Sequence, residues 1–123
     1  MTALAEASLT LKERQVLDLL VPELRNVFGP RLRSVWLYGS RARGETPHAE
    51  SDVDLLVVLD RRSMDEDHRV YDVVWNSAEE VGASPVFFST LVYDVDRIAQ
   101  RREIRSFFIQ EVDRDKIVLY GEA

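Results

Sequence analysis

Leu55-Leu56-Val57-Val58-Leu59 is an unbroken apolar run with Asp54 before it and Asp60 after it. It is too short for a buried helix and rich in branched side chains, so it reads as a strand. Successive strand residues point to opposite faces, and a run that is apolar at every position must therefore be covered on both. A chain holding such a strand is built in layers, with helices packed on a sheet.

The head of that strand, Asp52-Val53-Asp54, carries two carboxylates at positions i and i+2. In a strand they project side by side from one face, with Cα atoms roughly 6.5–7 Å apart. Adjacent carboxylates repel, and a divalent cation relieves the repulsion; Mg²⁺ is commonly held by one or two carboxylates together with substrate phosphates. Upstream, a second strand pattern from Ser34 to Tyr38 runs directly into Gly39-Ser40-Arg41-Ala42-Arg43-Gly44. Glycine after a strand permits a tight turn and close backbone approach to a ligand. The N–H groups of such a turn suit phosphate, Ser40 adds a hydroxyl, and Arg41 and Arg43 add positive charge. Phosphate donors beside a carboxylate pair describe a site for a nucleoside triphosphate with Mg²⁺, and the matching chemistry is metal-assisted phosphoryl or nucleotidyl transfer.

Gly39-Ser40, the insert with Arg41 and Arg43, and then Asp52-Val53-Asp54-Leu55 together resemble the signature of the DNA-polymerase-beta-like nucleotidyltransferase superfamily. The short chain is similar to the minimal nucleotidyltransferase branch, which in bacteria and archaea is often encoded beside a helical HEPN ribonuclease toxin and serves as its antitoxin. The signature spans residues 34–59, and the order of elements fits from about residue 10 to 120. The resemblance implies that residues 1–123 form one minimal nucleotidyltransferase domain of α/β class, a small mixed β-sheet packed with α-helices in a polymerase-beta-like palm. It implies Mg²⁺ as cofactor, held by Asp52 and Asp54, and ATP as donor, held by Gly39, Ser40, Arg41 and Arg43. Ser40, Asp52 and Asp54 would be the catalytic residues. The acceptor it implies is a tyrosine hydroxyl of a HEPN-type protein partner, silenced by AMP and held in an assembly with this chain. Two alternatives stand beside this reading: an inactive antitoxin that neutralises by binding alone, and a stand-alone small-molecule nucleotidyltransferase. One departure bears on the choice. The superfamily usually has a third carboxylate on a strand beside the Asp-x-Asp strand, yet residues 81–93 contain no Asp or Glu.

Composition bounds the partners. A net charge of −6 over 123 residues argues against an extended nucleic-acid surface, though a local cluster of Arg41 and Arg43, with Arg61 and Arg62, suits one nucleotide. There is no cysteine, which excludes disulfides, thiolate metal sites and a cysteine nucleophile. No segment approaches the ~20 apolar residues of a membrane span, and Met1 to Glu6 has no signal-peptide pattern, so a cytoplasmic protein is expected.

Elsewhere, Thr10 and Glu13 form a capping box for a helix reaching Phe28, with a kink or fresh start expected at Pro22. Ser63 and Glu66 suggest a second capping box, for a helix striped by Val70, Val73, Val74, Ser77 and Val81 and stopped by Gly82. Pro85 to Ser89 is the expected third strand, residues 91–112 are expected to be helical in two pieces, and Lys116 to Tyr120 is the last strand. Trp36 is assigned to the core, Trp75 to a half-buried flank, and His48 to a solvated loop.

Overall fold

The structure is a computed structural model that describes residues 4–47 and 52–123. In chain order the elements are α1 (Leu11–Phe28), β1 (Leu32–Tyr38), α2 (Gly39–Ala42), β2 (Val53–Leu59), α3 (Met64–Val81), β3 (Phe88–Asp94), α4 (Val95–Glu103), α5 (Phe107–Asp115) and β4 (Ile117–Gly121). The strands form one mixed sheet in the order β3-β2-β1-β4. β1 runs antiparallel to both β2 and β4, whereas β2 and β3 are parallel and α3 makes the crossover between them. This is the mixed α/β architecture expected of the sequence.

Alternation along β1 and β2 divides the core into two layers. Val35 and Leu37 with Val53, Leu55, Val57 and Leu59 face α1 and α3, packing on Val16, Leu20, Leu24, Val70 and Val74. Trp36, Leu56 and Val58 face the other way, toward Ile98 of α4 and Ile109 and Val112 of α5. Leu55, Leu56, Val57 and Leu59 are fully buried, as a strand sandwiched between helical layers must be. Trp36 lies in this core at 2% exposure, and its indole Nε1 donates to the Glu122 carbonyl at 2.7 Å.

The Thr10 box forms in full: the Glu13 N–H donates to Thr10 Oγ1 at 3.1 Å and the Thr10 N–H donates to Glu13 Oε1 at 2.8 Å. α1 then runs unbroken through Pro22, so there is no fresh start there. Leu20 and Leu24, both fully buried, anchor the turns on either side and outweigh the one hydrogen bond that proline removes. Ser63 occupies the N-cap of α3 but its side chain accepts no capping hydrogen bond, and Glu66, the other half of that expected box, accepts from Arg31 Nη2 at 3.4 Å. Gly82 ends α3 in the left-handed conformation.

The expected third strand is displaced. Pro85–Phe87 is a 3₁₀ turn, with Val86 65% and Phe87 47% exposed, and the strand begins only at Phe88. It extends to Asp94, so residues 91–94 are strand rather than helix, and the helical region is α4 and α5, separated at residues 104–106. Asp94 therefore lies on β3, at its last position, where its Oδ1 accepts from the Arg97 N–H at 2.8 Å and caps α4. His48 lies outside the described residues.

Candidate active site

The antiparallel register of β1 and β2 sets Tyr38 opposite Asp54, which brings the end of one strand, the glycine turn and the head of the other to one place. Gly39 adopts φ +77°, and a Cβ built on it would stand 2.3 Å from Asp54 Oδ2. The turn thus lies against the Asp54 carboxylate at a distance only glycine allows. Gly39–Ala42 forms a single helical turn, closed by the Arg43 N–H donating to the Gly39 carbonyl at 3.2 Å and the Glu45 N–H donating to the Ser40 carbonyl at 3.1 Å. A cavity of about 320 Å³ opens over it, lined by Tyr38, Gly39, Ser40, Arg43 and Asp54 on one side and by Phe108, Glu111 and Val112 of α5 on the other.

Asp54 is half-buried, and burial together with the neighbouring Asp52 charge pushes its carboxyl up to about 6, against the pull of Arg41 and Arg43. A carboxyl raised in this way is a poor free anion and a good partner for a cation. Among the described residues no three His, Asp or Glu side chains converge as a metal cage. Asp54 lines the cavity, while Asp52, one residue before β2, is outside that lining and acts on Asp54 through its charge; a carboxylate pair suits a metal that completes its shell with water and phosphate oxygens. Tyr38 packs edge-on against Phe108, with centroids 5.5 Å apart, and burial, followed by the Asp54 charge, raises its phenol well above the ordinary range.

The two arginines have different positions. Arg43 is exposed, lines the cavity, and pairs with Glu45 and, at 3.5 Å, with Asp115 at the end of α5. Arg41 is 6% exposed and directs its Nη1 away from the cavity, donating to the Ser8 carbonyl at 2.9 Å and to Glu13 Oε1 at 2.7 Å. The Ser8 N–H in turn donates to the Arg41 carbonyl at 2.9 Å. Arg41 therefore fastens the glycine turn to the start of α1, and its charge reaches Asp54 through space. Arg61 and Arg62 follow the far end of β2, roughly 20 Å along the strand from Asp54 at ~3.3 Å per residue, and Arg62 Nε is engaged by Asp67 at 3.0 Å.

The parallel register of β2 and β3 pairs Asp54 with Ser89, while Asp94 pairs with Leu59 at the opposite end. The strand residue beside Asp54 is thus a serine, and the acid on β3 is five positions away from it. Tyr38, Phe108, Glu111 and Val112 were not singled out as site residues from the sequence. The signal for the last three was their i, i+3, i+4 spacing on one helix face, but nothing local says that this face meets Asp54.

The polymerase beta nucleotidyltransferase family model matches residues 23–123. The chain belongs to that family, and the mixed sheet with the glycine turn and carboxylate pair at its open end is the nucleotidyltransferase fold of this class of enzymes. A search of curated proteins finds no match. Among solved structures, the chain is similar to a toxin–antitoxin with AMP-PNP, at 20% identity and TM-score 0.50, covering 84% of this chain and 72% of the other. It is also similar to the toxin–antitoxin MntA–HpeT, at 18% identity and TM-score 0.49 over 83% and 71% of the two chains. A third is the tri-AMPylated Shewanella oneidensis HEPN toxin in complex with MNT antitoxin, at 16% identity and TM-score 0.47 over 91% and 74%. These are likenesses of fold. No helix among the described residues is long and apolar enough to cross a membrane.

Proposed function

We propose that this chain transfers AMP from ATP, with Mg²⁺, to a hydroxyl of a HEPN-type protein partner and thereby acts as its antitoxin. The observation that carries the reading is the half-buried Asp54 carboxyl, lying against the Gly39 turn and opening into the cavity that Ser40 and Arg43 line. Asp52 and Asp54 would hold the metal, which when bound supplies charge neutralisation along the phosphates and lowers the barrier to displacement. The turn at Gly39 and Ser40 receives the terminal phosphates, and Arg43 faces them from the exposed side. Arg41 keeps the turn in place from behind. The acceptor oxygen forms a bond to the α-phosphorus as the bond to the β-phosphate oxygen breaks, so pyrophosphate leaves and AMP remains on the acceptor.

A protein acceptor fits the rest of the molecule. The net charge of −6 disfavours a nucleic-acid end. The fold shared with a toxin–antitoxin solved with AMP-PNP supports the same direction. One observation favours a second reading, neutralisation by binding alone: the residue beside Asp54 on β3 is Ser89 and not an acid. Incubation with a HEPN-type partner, ATP and Mg²⁺, followed by intact-mass measurement of that partner, separates the two. The expected result is a gain of one or more AMP units that disappears with Asp52→Asn/Asp54→Asn. A tight complex with an unmodified partner would refute the transfer and leave the second reading.

A further inference from the structure

Tyr38 is the last residue of β1. Trp36, two positions earlier, faces α4 and α5, so alternation sets Tyr38 on that same face of the sheet. The antiparallel register pairs it with Asp54, which stands on this face too. Directly paired residues have Cβ atoms about 4.5–5.5 Å apart, and the phenol is much the longer of these two side chains. Its ring is fixed by the edge-on contact with Phe108 of α5, and Phe108 in turn lies 6.3 Å from the Tyr93 ring. The hydroxyl end therefore reaches past the carboxylate into the cavity, whose lining includes Tyr38, Asp54 and Glu111. A tyrosine O–H set among apolar neighbours usually finds an acceptor. Two carboxylates line the same cavity, yet among the described residues none accepts from this hydroxyl. The fold leaves the donor to whatever fills the cavity.

We infer that the Tyr38 hydroxyl donates a hydrogen bond to a non-bridging oxygen of the α-phosphate of a bound nucleoside triphosphate. The inference rests on the proposed placement of the nucleotide, with its terminal phosphates at the Gly39–Ser40 turn and its metal at Asp54. Tyr38 precedes that turn and is paired with Asp54, so the phosphate it meets is the one beside the carboxylate and not those in the turn. This is the phosphate to which the acceptor oxygen bonds in the proposed transfer. Arg43, the cation lining the cavity, is already shared with Glu45 and Asp115. The phenol is a neutral donor with no such competitor, and it fixes the α-phosphate by direction rather than by charge. Phe108 holds the phenol in place and is its positioning residue.

The test is calorimetry in Mg²⁺ with ATP, with pyrophosphate, and with each diastereomer of ATP carrying sulfur on the α-phosphate. Tyr38→Phe keeps the ring and its contact with Phe108 and orphans no described partner, so it should unfold at the wild-type Tm. It should bind ATP about tenfold more weakly than wild type, as expected for one hydrogen bond to a charged group. Pyrophosphate, which lacks the α-phosphate, should bind both proteins equally. Sulfur is a weak acceptor, so wild type should prefer one α-thio diastereomer, and the variant should show about tenfold less preference. Phe108→Leu, which removes the edge contact but keeps the hydroxyl, should reduce the same preference. Equal ATP affinity in wild type and Tyr38→Phe overturns the inference alone. So does an undiminished preference between the diastereomers, or a loss of pyrophosphate affinity as large as that of ATP. Wild type that binds ATP no better than Asp52→Asn/Asp54→Asn overturns the placement of the nucleotide, and the inference with it.

Discussion

Replacing Gly39 with alanine tests the site at its tightest point, and Gly82→Ala supplies the matched control. Both glycines have positive φ, +77° and +83°. Alanine in the left-handed region costs about 1–2 kcal/mol at either position. Unfolding entropy of about 2.1 cal/mol/K per residue makes 1 kcal/mol worth roughly 4 °C in a chain of this length, so each variant should lose about 4–8 °C in Tm. The two differ in what the new methyl meets. At Gly82 the nearest atom is Lys12 Nζ at 3.7 Å, an ordinary contact with a flexible side chain. At Gly39 the methyl would stand 2.3 Å from Asp54 Oδ2 and 3.3 Å from its Cγ. The carboxylate must therefore retreat by about 1 Å, and a displacement of that size in a reacting group costs on the order of 10²-fold in rate.

Thermal unfolding measures the shared part of the effect, and calorimetry with ATP and Mg²⁺ together with the mass assay on the partner measures the part unique to Gly39. Gly82→Ala should keep wild-type nucleotide affinity and transfer despite its lower Tm. Gly39→Ala should lose most Mg²⁺-dependent ATP affinity and about 10²-fold in transfer. Equal nucleotide affinity and equal transfer in the two variants would refute the placement of the phosphates and metal between the glycine turn and Asp54.

The two arginines should separate: Arg41→Met lowers Tm by about 10 °C or more, because it takes the guanidinium from the partly buried Glu13 carboxylate and leaves it only the Thr10 N–H, at about 3 kcal/mol, whereas Arg43→Met changes Tm by less than about 4 °C and weakens ATP binding in calorimetry. Burial opposes ionisation of Glu13, but Arg41 and Thr10 outweigh it and hold the carboxyl below its usual 4.5. The stability this gives is present above 4.5 and is lost as pH falls through the folded value, so denaturation of Glu13→Gln should show a shallower decline on the acid side than wild type. Ser89→Asp sets a third carboxylate beside Asp54, so Mg²⁺ without nucleotide should raise the Tm of this variant more than that of wild type, as differential scanning fluorimetry would record.

Much of the site was legible because its parts are local. Gly39 follows a strand directly, Asp54 heads an apolar run that admits only a buried strand, and Asp52, one residue before β2, is near enough for its charge to act on Asp54. The different placement of Arg41 and Arg43, expected alike to face the phosphates, was not legible. Both arginines follow Gly-Ser within three residues, and only the tertiary fold places Glu13 within 2.7 Å of one and Asp115 near the other. The start of β3 was misplaced for a different reason. Pro85-Val86-Phe87-Phe88 is apolar enough to read as a strand, but the first three residues turn outward in a 3₁₀ turn, and Leu91 to Asp94 suits strand or helix equally in a short window. The extension adds one acid to β3, Asp94, but the register sets it beside Leu59 and leaves Ser89 beside Asp54.

The position of Asp54 is enforced by residues that never touch a ligand. Along β2, Val53, Leu55, Val57 and Leu59 are fully buried against α1 and α3, whereas Leu56 and Val58 are buried on the α4 and α5 side. Asp54 belongs to the second set by alternation, and its end of the strand is where that layer is left open by α5. A slip of one residue would turn Val53 toward the cavity and drive the Asp54 carboxylate into the sealed layer beneath α1 and α3. A buried, unpaired carboxylate and several exposed aliphatic side chains would each oppose that slip by kilocalories. Tyr38 opposite Asp54 transmits the same register to the glycine turn, because the residue after Tyr38 is Gly39. The geometry of the candidate site is thus inherited from hydrophobic alternation, and the Asp54 carboxyl, raised to about 6 by burial and the Asp52 charge, is the ionisable group that this alternation holds at the cavity.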